Sequence, residues 1–211
     1  LQEALAYRNP ELEGLDVIQF DVQEYERGGE FLGEFYSVIT EKEVVQMLYK
    51  KFDTIAPKQY EFHPYFLKEF NGAWYVVGWV EDYKALRTFA LDRVISLEVV
   101  GEYQKVSELF DKRSYYEHVY GIHQSNNVVE EIRLKLTPIQ AEYLKVTPLH
   151  TSQVVEEETD SFSIVTLQLV PNREFLMKIL SFGAGVEVLN PSSFRKQVQE
   201  ELLLSIKKYE G

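Results

Sequence analysis

His63 stands before Pro64 at the end of an alternating apolar run, and Arg87 and Arg93 flank the segment Thr88-Phe89-Ala90-Leu91-Asp92. These residue types can do chemistry on an anion. An imidazole donates to a phosphate or a base edge and titrates near neutrality. A guanidinium offers a planar fork that matches phosphate oxygens or guanine. Each also has a plainer reading: His63 as a structural or surface histidine, the arginines as surface charges, and Arg93 as the partner of its neighbour Asp92. On a straight strand Arg87 and Arg93 share a face but lie about 20 Å apart, at about 3.3 Å per residue. A shared ligand therefore needs the chain to bend near Asp92-Arg93. Alternation puts Lys58 on the opposite face from His63. Tyr49 and Tyr75 are either core aromatics or stacking surfaces for a base, and Trp74 reads as core.

Other patterns carry less. Phe182-Gly183-Ala184-Gly185 lacks the spacing of a phosphate-cradling loop and precedes a strand instead of a helix, so it reads as a helix C-cap. His118 and His123 are five residues apart, which is not the i,i+4 spacing of a helical metal pair, and no metal site is expected. Glu156-Glu157-Glu158 reads as a solvated hairpin end. No Ser/His/Asp pattern and no paired carboxylates stand out. An enzyme using His63, such as a nucleotide hydrolase, lacks a second acid-base residue at recognisable spacing. The chain is read as a non-enzyme without cofactors.

The elements that must position these residues lie between Tyr60 and Val100. Ala73 to Val80 alternates, with Trp74, Val76, Gly78 and Val80 on one face and Tyr75, Val77 and Trp79 on the other. Both faces are largely apolar, so this strand is expected to be central and covered on both sides. Phe70-Asn71-Gly72 supplies the turn before it, since Asn and Gly tolerate positive φ, and Glu81-Asp82-Tyr83-Lys84 a polar turn after it. Arg87 to Ile95 is read as the next strand. Upstream, Leu32, Phe35, Tyr36 and Ile39 sit at helical spacing within Phe31–Glu41. Glu43–Phe52 alternates as a strand, with Val45, Met47 and Tyr49 against Val44, Gln46 and Leu48. Asp53 to Lys58, with Pro57, turns into the Tyr60 strand.

His63-Pro64, Trp74-Tyr75-Val76 and Arg87-Thr88-Phe89-Ala90-Leu91-Asp92-Arg93-Val94-Ile95, in this order and spacing, resemble the WYL domain family, named for a Trp-Tyr-Leu triplet whose third position is Val76 here. Tyr143 to Gln153 and Ile179 to Pro191 resemble the extension that commonly follows a WYL domain. The resemblance covers roughly residues 15 to 209. It implies a small Sm-like or SH3-like β-barrel, with His63, Arg87 and Arg93 on a ligand-binding face and a basic residue near Lys58. It also implies a helix-turn-helix DNA-binding domain ahead of the WYL domain. The chain starts at Leu1 and its first thirty residues read as a connector, so an upstream domain is expected.

Beyond Gly101 a linker to Asn127 is expected, with short helical turns at Val106–Phe110 and Ser114–Tyr120. Then come a strand over Val128–Thr137 and a helix over Pro138–Val146, opened by the Thr-Pro cap pair. Strands follow at His150–Glu157 and Phe162–Val170. A helix capped by Asn172 runs through Leu180, and a strand over Val186–Leu189. A last amphipathic helix after Pro191-Ser192 carries Phe194, Val198, Leu202, Leu203 and Ile206. This β-α-β-β-α-β order predicts a ferredoxin-like domain with one added helix. The expected division is a connector over 1–30, the WYL barrel over 31–104, a linker over 105–127 and the C-terminal extension over 128–211, an α+β protein throughout.

The chain has 211 residues, no cysteine and a net charge of −12. Two small domains fit this length. Absence of cysteine rules out disulfides and thiolate chemistry and suits a cytoplasmic protein, and no apolar run approaches the roughly 20 residues of a membrane span. Net charge is −7 over residues 1–40, −1 over 41–100 and −4 over 101–211, so the motif stretch is the least acidic. An acidic surface does not fit duplex DNA as a direct partner. The expected function is therefore the effector-sensing, dimerising region of a bacterial transcription regulator. Its effector would be a nucleotide or single-stranded nucleic acid, and duplex DNA would be reached only through the upstream domain. A protein–protein adaptor is the alternative.

Overall fold

The computed structural model describes residues 29–102, 111–124 and 128–210. The connector expected over residues 1–28 and the linker readings on residues 105–110 and 125–127 lie outside them. Among the described residues two antiparallel sheets and five α-helices make up the α+β architecture.

Helix α1 (Gly29–Glu41) leads into strands β1 (Glu43–Tyr49), β2 (Lys58–Phe70), β3 (Ala73–Val80), β4 (Ala85–Ala90) and β5 (Val94–Glu102). The sheet order is β4-β3-β2-β1-β5. The meander β1 to β4 follows from its tight turns. Asn71 and Gly72 take φ of 52° and 75° between β2 and β3, as their side chains permit. A 3₁₀ turn over Glu81–Tyr83 and left-handed Lys84 join β3 to β4. The core face carries Val45, Met47 and Tyr49 of β1, Tyr60 and Phe62 of β2, Val76 and Val80 of β3, and Phe89 of β4, all buried. Phe35 and Val38 of α1 cover it.

Several expectations need correction. Tyr36 of α1 is exposed, and Val38 takes the buried place instead. Gly29 and Glu30 belong to the helix, not to the connector. β3 is an interior strand but β2 is the middle one. Arg87 to Ile95 is not one strand: a 3₁₀ turn over Leu91–Arg93 separates β4 from β5. Among the described residues β4 and β5 form the two edges of the sheet, and no closed barrel is found.

A short helix α2 (Lys112–Tyr115), shorter than the Ser114–Tyr120 turn expected there, precedes the second sheet. That sheet holds β6 (Glu130–Leu136), β7 (Val154–Glu158), β8 (Ser163–Leu169) and β9 (Val186–Asn190) in the order β7-β8-β6-β9, all pairs antiparallel. Helices α3 (Pro138–Val146), α4 (Arg173–Ser181) and α5 (Ser192–Lys207) intervene and follow. The caps read from sequence hold: the Thr137 Oγ1 accepts from the Gln140 amide, and the Asn172 Oδ1 from the Phe175 amide at 2.8 Å. Residues 150–153 are a turn and not the start of β7, while Leu202, Leu203 and Ile206 of α5 are exposed, leaving Phe194 as the buried anchor.

Asn172 does a second job. Its Nδ2 donates to the carbonyls of Tyr120 at 2.8 Å and His123 at 3.1 Å, so one buried side chain caps α4 and holds the junction segment 111–124. Asn172→Ala removes a cap, worth about 1 kcal/mol, and strips two carbonyls of their donor. A loss of roughly 2 kcal/mol is expected in urea unfolding with an unchanged m-value.

Candidate functional site

Alternation along the first sheet decides which candidates meet. Gly78 lies opposite Arg87, Val76 opposite Phe89, and Val80 opposite Phe62, so Arg87 points to the same side as the core residues of β2 and β3. Lys58, opposite Tyr49 and in phase with Tyr60, also stands on that side. His63 and Tyr75 are out of phase and belong to the other side. His63 faces Trp79 across the β2–β3 ladder, while hydrogen bonds from Lys84 and Trp79 hold the Glu81 carboxyl below the usual range.

On the core side, where the aromatic end of the sheet opens, there is a cleft of about 590 Å³. Its cations are Lys51, Arg87 and Arg93, its rings Tyr49, Phe52, Tyr60, Tyr83 and Phe89, and Asp53, Thr88 and His123 complete it. The 3₁₀ turn at Leu91–Arg93 folds Arg93 back, so both arginines reach the same cleft despite their separation along the chain. Sequence alone did not single out Lys51, Phe52 or Tyr83, and it weighed His123 only as half of a metal pair with His118. The basic-aromatic run Lys50-Lys51-Phe52 was the available signal for the first two.

The arginines lie over aromatic rings. The Arg93 guanidinium carbon is 4.4 Å from the Phe52 ring centre and that of Arg87 is 5.1 Å from Tyr83. Stacked this way, a guanidinium keeps its N–H edge for an anion while its face is covered. Arg93 Nε also lies 3.4 Å from the Asp92 carboxylate. That contact has the distance of an ion pair without the alignment of a hydrogen bond, and Nε makes none elsewhere among the described residues. Asp92 therefore steadies Arg93 without using up its donors. Arg87 Nη1 donates to the Leu86 carbonyl at 2.8 Å.

The floor is a packed aromatic cluster. Tyr49 and Phe89 meet edge-to-face at 4.8 Å, and Tyr60 and Phe89 at 5.1 Å. The Tyr49 hydroxyl accepts from the Ala90 amide at 3.3 Å, and burial pushes its phenol up. Tyr49 is thus floor and not a stacking platform. The rings open to a ligand are Phe52 and Tyr83, both exposed. Lys58 stands at the rim: Nζ donates to the Tyr83 hydroxyl at 3.1 Å, pairs with Asp82 at 3.3 Å and lies 4.7 Å from the Tyr83 ring centre. Hydrogen bonds from Lys58 and Tyr60 hold the Tyr83 phenol below its ordinary value.

Residues 30–99 match the family model of the WYL domain and residues 129–203 that of the WCX domain. The chain carries a WYL domain followed by a WCX domain. The two matches bracket the two sheets, and the WYL match contains every residue of the cleft except His123. No curated protein matches the chain. Among solved structures, the proteasome accessory factor B/C (PafBC) of Arthrobacter aurescens is similar at 20% identity over 81% of this chain and 26% of that one, with a TM-score of 0.39. A CRISPR Cas-related protein is similar at 12% identity over 87% of this chain and 53% of that one, with a TM-score of 0.55, a likeness of fold alone. This WYL-domain chain thus spans about a quarter and about half of the two structures' own chains.

Within the WYL domain, Trp74 packs partly against the core, Val76 is fully buried, and Tyr75 lies between them in sequence on the outer side. Among the described residues no group of three or more His, Cys, Asp or Glu side chains could hold a metal ion, and no helix is long and apolar enough to cross a membrane.

Proposed function

We propose that this is the effector-sensing region of a bacterial transcription regulator, and that the cleft binds a negatively charged effector, a nucleotide or a short single-stranded nucleic acid. One observation carries the reading: Arg87, Arg93 and Lys51 share a cleft with the exposed rings of Phe52 and Tyr83. Cations that follow a phosphate backbone, interleaved with rings that stack on bases, are the general chemistry of single-strand recognition. The WYL domain supports it, since such domains are typically found in ligand-sensing regulators. Arg87, Arg93 and Tyr83 hold the ligand in this reading, Tyr49 supports it from below, and Lys58 orients Tyr83. His63 and Tyr75 act from the far side of the sheet, if at all through packing.

The order β4-β3-β2-β1-β5, with a 3₁₀ corner before β5, supports an opened Sm-like sheet, and β7-β8-β6-β9 with helices after β6 and β8 supports a ferredoxin-like extension. The regulator would be a cytoplasmic homodimer that passes the effector signal to a helix-turn-helix outside this chain by shifting a two-state equilibrium. Exposed Leu202, Leu203, Leu204 and Ile206 on α5 support a protein contact. The same residues favour the adaptor alternative, in which no small ligand is bound.

Fluorescence anisotropy with labelled oligothymidylate and a nucleotide panel separates the two. Binding is expected at low salt, with log K falling by about 0.7 per phosphate contact for each unit of log[salt]. Duplex DNA should not bind with sequence specificity. Failure of every anionic probe at low salt would leave the adaptor reading.

A further inference from the structure

One wall of the cleft comes from outside the WYL sheet. His123, from the junction segment, lines the cleft together with Arg87 and Arg93. It also lines a second depression of about 410 Å³ beside Phe70, Arg173 and Glu174. Its Nδ1 is hydrogen-bonded to the Glu174 carboxylate on α4 of the WCX domain. Its carbonyl is held by Asn172, the cap of that same helix. Two residues earlier, Gly121 takes φ of 86°, and a β-carbon there would lie 3.0 Å from the Glu174 side chain. Chain and ring are thus both fastened to α4, although the ring faces a cleft built by the other domain.

The pairing has an electrical consequence. Glu174 is 17% exposed, and its second oxygen has no hydrogen-bond partner among the described residues, so its charge is answered by the imidazole and, without a hydrogen bond, by Lys68 of β2. That hydrogen bond holds His123 above the ordinary histidine range, against the opposing influences of burial and Arg93. A protonated ring bonded through Nδ1 keeps Nε2–H as its remaining donor.

We propose that His123 is a further cation of the anion site, supplied by the junction and oriented by Glu174, so that the site is complete only while the WCX domain is docked. The proposal rests on the reading of the cleft as an anion site. It makes the effector a bridge: a phosphate seated on Arg87 and Arg93 also draws on a side chain fixed to α4. It goes beyond a pocket confined to the WYL sheet, because occupancy then favours one arrangement of the two domains.

The signature is a pH profile. From the sheet, Lys51, Arg87, Arg93, Asp53, Tyr60 and Tyr83 face the site, and from α4, Arg173, Glu174 and Lys178 surround His123. Between about pH 6 and 8 arginines and lysines stay charged and carboxylates ionised, which leaves the imidazole as the group that changes. His123 is charged below its raised pKa, so anion affinity is high at acid pH and falls as pH rises through that value.

The probe is dye-labelled oligothymidylate without a terminal phosphate, whose diester charge is constant over this range, titrated against the full chain from pH 6 to 8. Wild type is expected to lose roughly tenfold in affinity across the range, one charged hydrogen bond's worth. His123→Gln should bind about tenfold more weakly at pH 6 with a flat profile, and His123→Arg should bind tightly with a flat profile. Glu174→Gln should move the wild-type midpoint to lower pH. A His123→Gln profile that overlays wild type overturns this inference and leaves the cleft reading standing. Absence of wild-type binding at low salt overturns both.

Discussion

Alanine at Gly78 is expected to destabilise the protein by about 3 kcal/mol, the top of the usual range for overpacking. A β-carbon there would fall 2.1 Å from the His63 carbonyl oxygen and 2.7 Å from two ring carbons of Phe62. Neither obstacle can yield cheaply. The carbonyl belongs to the β2–β3 ladder, and Phe62 is fully buried at the centre of the first core. Pushing β3 away from β2 would also move Arg87, which lies opposite Gly78. For a chain of this size the loss corresponds to a melting-temperature drop of roughly 6–12 °C. Gly33→Ala is the internal control. It lies in α1 with nothing within 4 Å of its would-be β-carbon, so it should hold or raise the melting temperature. Equal melting temperatures for Gly78→Ala and wild type would mean that the β2–β3 contact is slack, and the geometry proposed for Arg87 would lose its support.

How far the sequence announces these features depends on whether they are local. β3 could be bounded to the residue, because alternation runs between an Asn-Gly turn and an acidic turn. The start of α3 and the end of α4 were equally plain, since Thr137-Pro138 and Gly183 carry their own stereochemical reasons. The corner at Leu91–Arg93 was not plain. It contains no Gly, Pro or Asn, and its residues read as the continuation of an apolar strand. That corner decides the site, because it converts an apparent 20 Å separation, at about 3.3 Å per residue, into a shared cleft. Parity cut the other way for His63: alternation alone separates it from Lys58, and the cleft opens on Lys58's side. His123 could be weighed from sequence only as half of a metal pair with His118. Its actual partner, Glu174, is 51 residues away, beyond the reach of any spacing argument. Sheet closure is non-local in the same sense: each strand was legible, but whether the edges β4 and β5 meet was not. The apolar spacing on α5 reads as an amphipathic face, but only Phe194 is buried and Leu202 and Ile206 are exposed.

Replacing Arg87 and Arg93 together by alanine is expected to weaken oligothymidylate binding by about a hundredfold or more. A charged hydrogen bond is worth about 1.5–3 kcal/mol and about 1.4 kcal/mol is tenfold, so each single substitution should cost roughly ten- to hundredfold. The stability cost should be small and unequal. Arg87 is exposed and its hydrogen bond is to its own neighbour's carbonyl, so Arg87→Ala should melt like wild type. Arg93 is 28% exposed, touches Asp92 and covers Phe52, so Arg93→Ala should lose up to about 1 kcal/mol, the range of a screened surface pair. Arg93→Lys keeps the charge but not the planar stack or the fork, and should fall between wild type and alanine in affinity. If Arg93→Ala lowered the melting temperature while leaving affinity unchanged, Arg93 would be the structural partner of Asp92 and the anion would rest on Arg87 and Lys51 alone. If Arg87→Ala left affinity unchanged and the double variant bound no worse than Arg93→Ala, Arg87 would make no contact with the ligand, and the cleft would not be one shared site. Anisotropy titrations and thermal melts on the five proteins decide among these outcomes. The salt slope gives an independent check, since the double variant should lose about 0.7 in slope for each phosphate contact removed.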